Sequence, residues 1–100
     1  MLFFRKKNIN DAVQECRSTP AGILVDVRDT DEFRTGHIPG AVNVPLSKIE
    51  KIRIPKDRTL YVYCLRGMRS RKAVRQLKRM GYENVRSIGG IASYAGQLDK

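Results

Sequence analysis

Short apolar runs alternate along the chain with segments whose apolar residues recur at helical spacing, the pattern of β–α–β units and a mainly parallel sheet. Asn10 is placed to cap a first helix over roughly Asp11 to Arg17, with Ala12, Val13 and Cys16 on one face; Pro20 and Gly22 mark its exit. Ile23-Leu24-Val25-Asp26-Val27 is too continuously apolar for a strand with one wet face and predicts burial on both. A short helix follows, with Asp29 as N-cap and Glu32 three positions on, a variant of the capping box, and Gly36 ends it. Ala41 to Val44 predicts a second strand stopped by Pro45, and Leu46 to Ile52 a further short helix before the Pro55-Lys56-Asp57 turn. Leu60 to Tyr63 reads as a central strand that runs straight into Cys64. Ser70 to Met80 is the strongest helical pattern, with Ala73, Val74, Leu77 and Met80 on one face, basic residues on the other and Gly81 as its stop. Val85 to Ile88 predicts a last strand, and Gly89-Gly90 opens a final short helix through Tyr94. The sum is an α/β fold with helices on both faces of the sheet.

Length and composition narrow this further. One hundred residues predict one domain spanning 1–100, and the first eight stay open between an edge strand, a dimer contact at Leu2-Phe3-Phe4 and a flexible tail. With 41% apolar and 30% charged residues, the chain is neither disordered nor collagen-like. Two cysteines cannot staple a fold of this size, so free thiols and a reducing compartment are expected. No apolar run approaches the ~20 residues that span a bilayer. The basic residues at the start follow the apolar ones, the reverse of a secretory signal. The expectation is a cytoplasmic protein without a membrane partner.

The net charge of +10 is concentrated in one half. Residues 1–50 hold seven basic and seven acidic residues, whereas residues 51–100 hold thirteen against three. From Cys64 to Arg79 the residues Arg66, Arg69, Arg71, Lys72, Arg75, Lys78 and Arg79 meet no acid, so an anionic partner is expected for this half. The basic helix face has two readings, a solvated surface or a docking site for an acidic protein. Nucleic acid is disfavoured, because no RNA-module motif or aromatic platform accompanies the charge.

The informative chemistry lies at Tyr61-Val62-Tyr63-Cys64-Leu65-Arg66-Gly67-Met68-Arg69-Ser70. A cysteine ends a buried strand, a short loop with a glycine follows, and a helix begins at once, so the thiol lies where ligands bind in open α/β sheets. Loop amides, the helix N-terminus and the neighbouring arginines favour the thiolate, the nucleophilic form, and Gly67 lets the loop turn inward. The plainer reading is a buried structural thiol. His37, the only histidine, reads as fixing a loop through backbone hydrogen bonds rather than as a base. Asp26, Arg28 and Glu32 read as an ion-pair network that supports the strand end, and Cys16 as core packing. One histidine and two distant cysteines make no metal site, and no dinucleotide fingerprint is present, so no cofactor is expected.

Cys64-Leu65-Arg66-Gly67-Met68-Arg69-Ser70 resembles the active-site loop of rhodanese-family sulfurtransferases, Cys-x-x-Gly-x-Arg-Ser/Thr. Asp26-Val27-Arg28-Asp29, Glu32-Phe33 and the run Gly36-His37-Ile38-Pro39-Gly40-Ala41-Val42-Asn43-Val44-Pro45 resemble the same family. So does Gly89-Gly90-Ile91 with Tyr94, where tryptophan is commoner. The likeness covers nearly the whole chain from about Ile9. It implies a five-stranded, mainly parallel sheet flanked by helices, with Cys64 as the catalytic residue carrying a sulfane sulfur. The donor it implies is thiosulfate or a persulfide, and the acceptor a thiol or a sulfur-carrier protein. Leu65, Arg66, Gly67, Met68, Arg69 and Ser70 would then bind substrate, Arg66 and Arg69 through the donor's sulfonate, with Asp26, Arg28 and His37 in support. Cysteine phosphatases and arsenate reductases resembling this fold place arginine where Ser70 stands, so this loop is one residue short for phosphate. A non-enzymatic module binding an acidic partner is the alternative from another class.

Overall fold

The computed structural model describes residues 8–100. Helix α1 (Ile9–Ser18) leads into β1 (Gly22–Asp26), α2 (Thr30–Thr35) and the two-residue β2 (Val42–Asn43). A 3-10 turn at Leu46–Lys51 precedes β3 (Thr59–Cys64), α3 (Met68–Arg79) and β4 (Val85–Gly90), and a second 3-10 turn follows at Ile91–Ser93. The sheet is parallel throughout in the order β2-β1-β3-β4, so β1 and β3 are central. The described residues hold four strands where five were expected. Within residues 8–100 the chain opens with α1 rather than a strand, and Leu2-Phe3-Phe4 lies outside the described residues.

Side chains alternate along β3 and divide the core in two. Leu60, Val62 and Cys64 join Val25, Val27, Ile49, Ala73 and Leu77 on the α3 side, while Tyr61 and Tyr63 join Ile9, Ala12, Val13, Leu24 and Ile38 on the α1 side. Helices thus cover both faces, as the apolar runs of the central strands require. In α3 the buried residues are Ser70, Ala73, Val74 and Leu77, and Gly81 leaves the helix at φ +104°, a conformation that favours glycine.

Local differences have local causes. The cap of α1 is Asn8, whose Oδ1 accepts from the Asp11 amide at 2.9 Å, rather than Asn10. The helix begins early enough to bury Ile9, and Asn10 inside it instead holds the chain end, accepting from the Ala95 amide and donating to the Ser93 carbonyl. Helix α3 starts at Met68, two residues before the predicted Ser70, because Gly67 adopts the left-handed conformation and lets the loop close sooner. Beside Val62–Tyr63 the register of β4 jumps from Ser87 to Gly89, a bulge at Ile88 that carries the strand on to Gly90 opposite Cys64.

Candidate active site

Cys64 is the last residue of the central strand β3, where the chain turns through Leu65, Arg66 and Gly67 into α3. The turn curls back over the sulfur. Cys64 Sγ accepts hydrogen bonds from the Gly67 amide at 3.0 Å and the Ser70 amide at 3.4 Å. Gly67, at φ +103°, makes the curl possible. Ser70, fully buried, fastens it: its hydroxyl donates to the Gly67 carbonyl at 3.0 Å and lies 2.6 Å from the Ser87 hydroxyl on β4. The Ala92 amide donates to the Leu65 carbonyl, and a Cβ on Gly90 would land on that same carbonyl. The absence of a side chain at Gly90 therefore allows the loop to lie directly on β4.

Burial raises the Cys64 pKa, but the Ser70 amide and the dipole of the nearby Ser70 hydroxyl, and then the Gly67 and Arg66 amides, outweigh it and leave the thiol below its ordinary value of 9.0. Cys16 shows the contrast. Desolvation in the α1 core pushes that thiol up to about 11, with no amide cradle to offset it. The sulfur expected at the mouth of the loop sits instead at its base, since Cys64 is only 1% exposed. The turn nonetheless faces inward, with Leu65 37% and Met68 65% exposed on its outer side.

The other predicted residues divide by location. Arg66 lies exposed on the loop. Arg69 forks onto Glu32 at 2.6 and 3.0 Å, so its guanidinium is anchored to α2. Glu32 is lowered to about 2, chiefly by that hydrogen bond, and also accepts from the Asp29 amide as the capping-box residue. Of the expected Asp26–Arg28–Glu32 network the Asp26–Arg28 ion pair forms, while Glu32 acts on Arg28 only through its charge. Asp26 and Arg28 form a buried pair of their own, Nη2 to Oδ2 at 2.8 Å, while Glu32 turns to the loop. Arg28 also donates to the Gly36 carbonyl, and Asn43 donates to the carbonyls of Asp26 and Arg28. These contacts bind β1, the end of α2 and β2 together beside β3. His37 stacks on Phe33 at 3.7 Å, its Nδ1 is 3.0 Å from the Phe33 carbonyl, and its backbone pairs with Asp99. It thereby steadies the end of α2.

Two contacts lay beyond the sequence signals. Glu32 was expected in a capping box and in an ion-pair network with Asp26 and Arg28, but nothing pointed to Arg69, 37 residues away, as its partner. Ser87 was visible only as a hydroxyl within the predicted strand Val85 to Ile88. Among the described residues, no cluster of His, Cys, Asp or Glu converges to hold a metal ion, and no helix is long and apolar enough to cross a membrane.

A parallel α/β sheet with a thiol held by loop amides at the carboxyl end of its central strand defines a broad structural class. Comparison with known sequences narrows it: the profile of the Rhodanese-like domain matches residues 7–97, and the chain belongs to that family of sulfurtransferases. A protein named "Sulfurtransferase" from Allochromatium vinosum is 39% identical over 85 residues, covering 82% of this chain and 79% of the relative. The "Adenylyltransferase and sulfurtransferase uba4" of Ogataea parapolymorpha is 35% identical over 94% of this chain, which spans 25% of the length of that relative. Among solved structures, a "rhodanese with anions from E. coli" superposes with a TM-score of 0.70 at 32% identity, covering 78% of this chain and 96% of that one.

Proposed function

We propose that the protein moves a sulfane sulfur from thiosulfate or a persulfide donor to a thiophilic acceptor, with Cys64 as the carrier. The observation behind this reading is the pair of amides, Gly67 and Ser70, directed onto one sulfur at the start of α3. Donors fixed in place stabilise an anion without having to reorganise, the logic of an oxyanion hole with sulfur in the oxygen's place. The Cys64 thiolate attacks the outer sulfur of thiosulfate. A sulfur–sulfur bond forms to Cys64, the donor's own sulfur–sulfur bond breaks, and its electron pair leaves with sulfite. The resulting persulfide anion inherits the cradle. A thiolate or cyanide then attacks the outer sulfur and takes it, and the Cys64 thiolate is restored.

Arg66, exposed on the loop, is the cation best placed to meet the donor's sulfonate. Arg69, held by Glu32, sets the position of the loop and contributes its charge from there. Leu65, Met68 and Ser70 complete the substrate-binding turn, and Asp26, Arg28 and His37 support the elements around it. The domain carrying this chemistry spans residues 1–100.

Intact-mass measurement after incubation with thiosulfate tests the reading. One added sulfur atom is expected, removed by cyanide and absent in Cys64→Ser. A protein that gains no sulfur refutes it. Aryl-phosphate hydrolysis that disappears in Cys64→Ser would reassign the loop to phosphate chemistry.

A further inference from the structure

We infer that the physiological acceptor is an acidic protein that docks along the exposed face of α3, an assignment that rests on Cys64 as the sulfur carrier. Met68, Lys72, Arg75 and Arg79 recur at spacings of four, three and four and so form one stripe along the helix, opposite the buried Ala73 and Leu77. Arg71 flanks this stripe. The stripe runs about 16 Å from the loop end of the helix. Its basic members are exposed, and among the described residues none is paired with an acid.

A face that needed only solvation would mix the two signs, because like charges at these spacings repel along a helix. Here the repulsion goes uncompensated, and it begins beside the candidate nucleophile. At the loop end the stripe becomes apolar, where Met68 is 65% and Leu65 37% exposed. A basic ridge ending in an apolar rim above a recessed sulfur fits a partner with an acidic flank and a slender end that reaches into the loop. A small donor such as thiosulfate has no use for a ridge of that length. RNA fits less well, since the large exposed apolar side chains among the described residues are Val42, Leu65, Met68 and Leu98, with no aromatic ring to stack a base.

The test uses the full chain, loaded with sulfur by thiosulfate. Short peptides ending in cysteine, one rich in glutamate, one in lysine and one in serine, act as acceptors, and transfer is followed by mass. The glutamate peptide should accept sulfur about tenfold faster than the serine peptide at low salt, with the advantage fading at high salt. Lys72→Glu/Arg75→Glu/Arg79→Glu should abolish that preference and leave transfer to cyanide unchanged. Lys48→Glu/Lys51→Glu/Arg53→Glu lowers the net charge equally, elsewhere on the surface, and should retain the preference. Equal rates for the three peptides, or equal loss in both triple variants, would overturn the assignment. Tighter binding of a single-stranded RNA than of the glutamate peptide would also overturn it, as a nucleic-acid surface. If Cys64 takes up no sulfur, the carrier reading fails by itself. Anisotropy of the labelled glutamate peptide then decides the surface: binding lost only in the α3 variant supports it, and binding insensitive to that variant refutes it.

Discussion

Arg69 and Glu32, 37 residues apart in sequence, meet in a two-pronged ion pair that clasps the turn after Cys64 to the first turn of α2. Each side chain is about one-third exposed, so the pair contributes on the order of 1 kcal/mol or less. Its value is positional: the helix that presents the Ser70 amide to the sulfur is tied to an element on another strand connection.

The pair carries a pH signature. Glu32 is lowered from 4.5 to about 2, so its contribution is complete above 4.5 and disappears as the pH falls towards 2. Glu32→Gln should therefore be less stable than the wild type at neutral pH, with the gap closing through that window. Urea unfolding at stepped pH measures this, and a gap that widens in acid would contradict it.

Ser70→Ala removes the hydroxyl dipole that lies near the Cys64 sulfur and leaves the Gly67 carbonyl without its donor. The thiol pKa should rise and sulfur uptake from thiosulfate should slow, with a stability loss of roughly 1–2 kcal/mol. Because the Ser70 amide remains, the thiol should not return to the value of an unassisted buried cysteine. Ser87→Ala should shift it in the same direction but less, since Ser87 meets the loop only through Ser70.

Gly90→Ala drives a methyl group into the Leu65 carbonyl. The loop must lift from β4, costing more than about 2 kcal/mol and impairing sulfur uptake. Gly40→Ala is the control. Its φ of +89° makes a side chain strained by about 1–2 kcal/mol, but nothing stands within 4 Å of the new methyl and the site is untouched. Thermal unfolding should register both changes, whereas uptake should fall only for Gly90→Ala.

The two thiols should titrate in opposite directions from 9.0, Cys64 below it and Cys16 near 11. Carbon-labelled cysteine NMR across the pH range resolves the steps, and Cys16→Ala identifies the upper one. A single step shared by both residues would remove the electrostatic basis of the cradle.

Much of this was legible in the sequence because it is local. The continuous apolar character of Leu60 to Tyr63 marked a central strand, the spacing of Ala73, Val74 and Leu77 marked the buried face of α3, and Asp29 with Glu32 marked a capped helix. The position of Cys64 at a strand end before a glycine followed from the same local signals. What depends on distant pairing was not legible. No short-range pattern distinguishes Arg69 meeting Glu32 from Arg69 meeting an anion, or reveals that Ser70 rests on Ser87. The choice between Asn8 and Asn10 as the cap of α1 turned on whether Ile9 would be buried, a matter of tertiary packing.

The hydroxyl contact between Ser70 and Ser87 joins a helix to a strand that arrives late in the chain. Loosening of that strand therefore reaches the turn around Cys64 through one pair of side-chain oxygens, so the geometry at the base of the loop is coupled to the seating of β4.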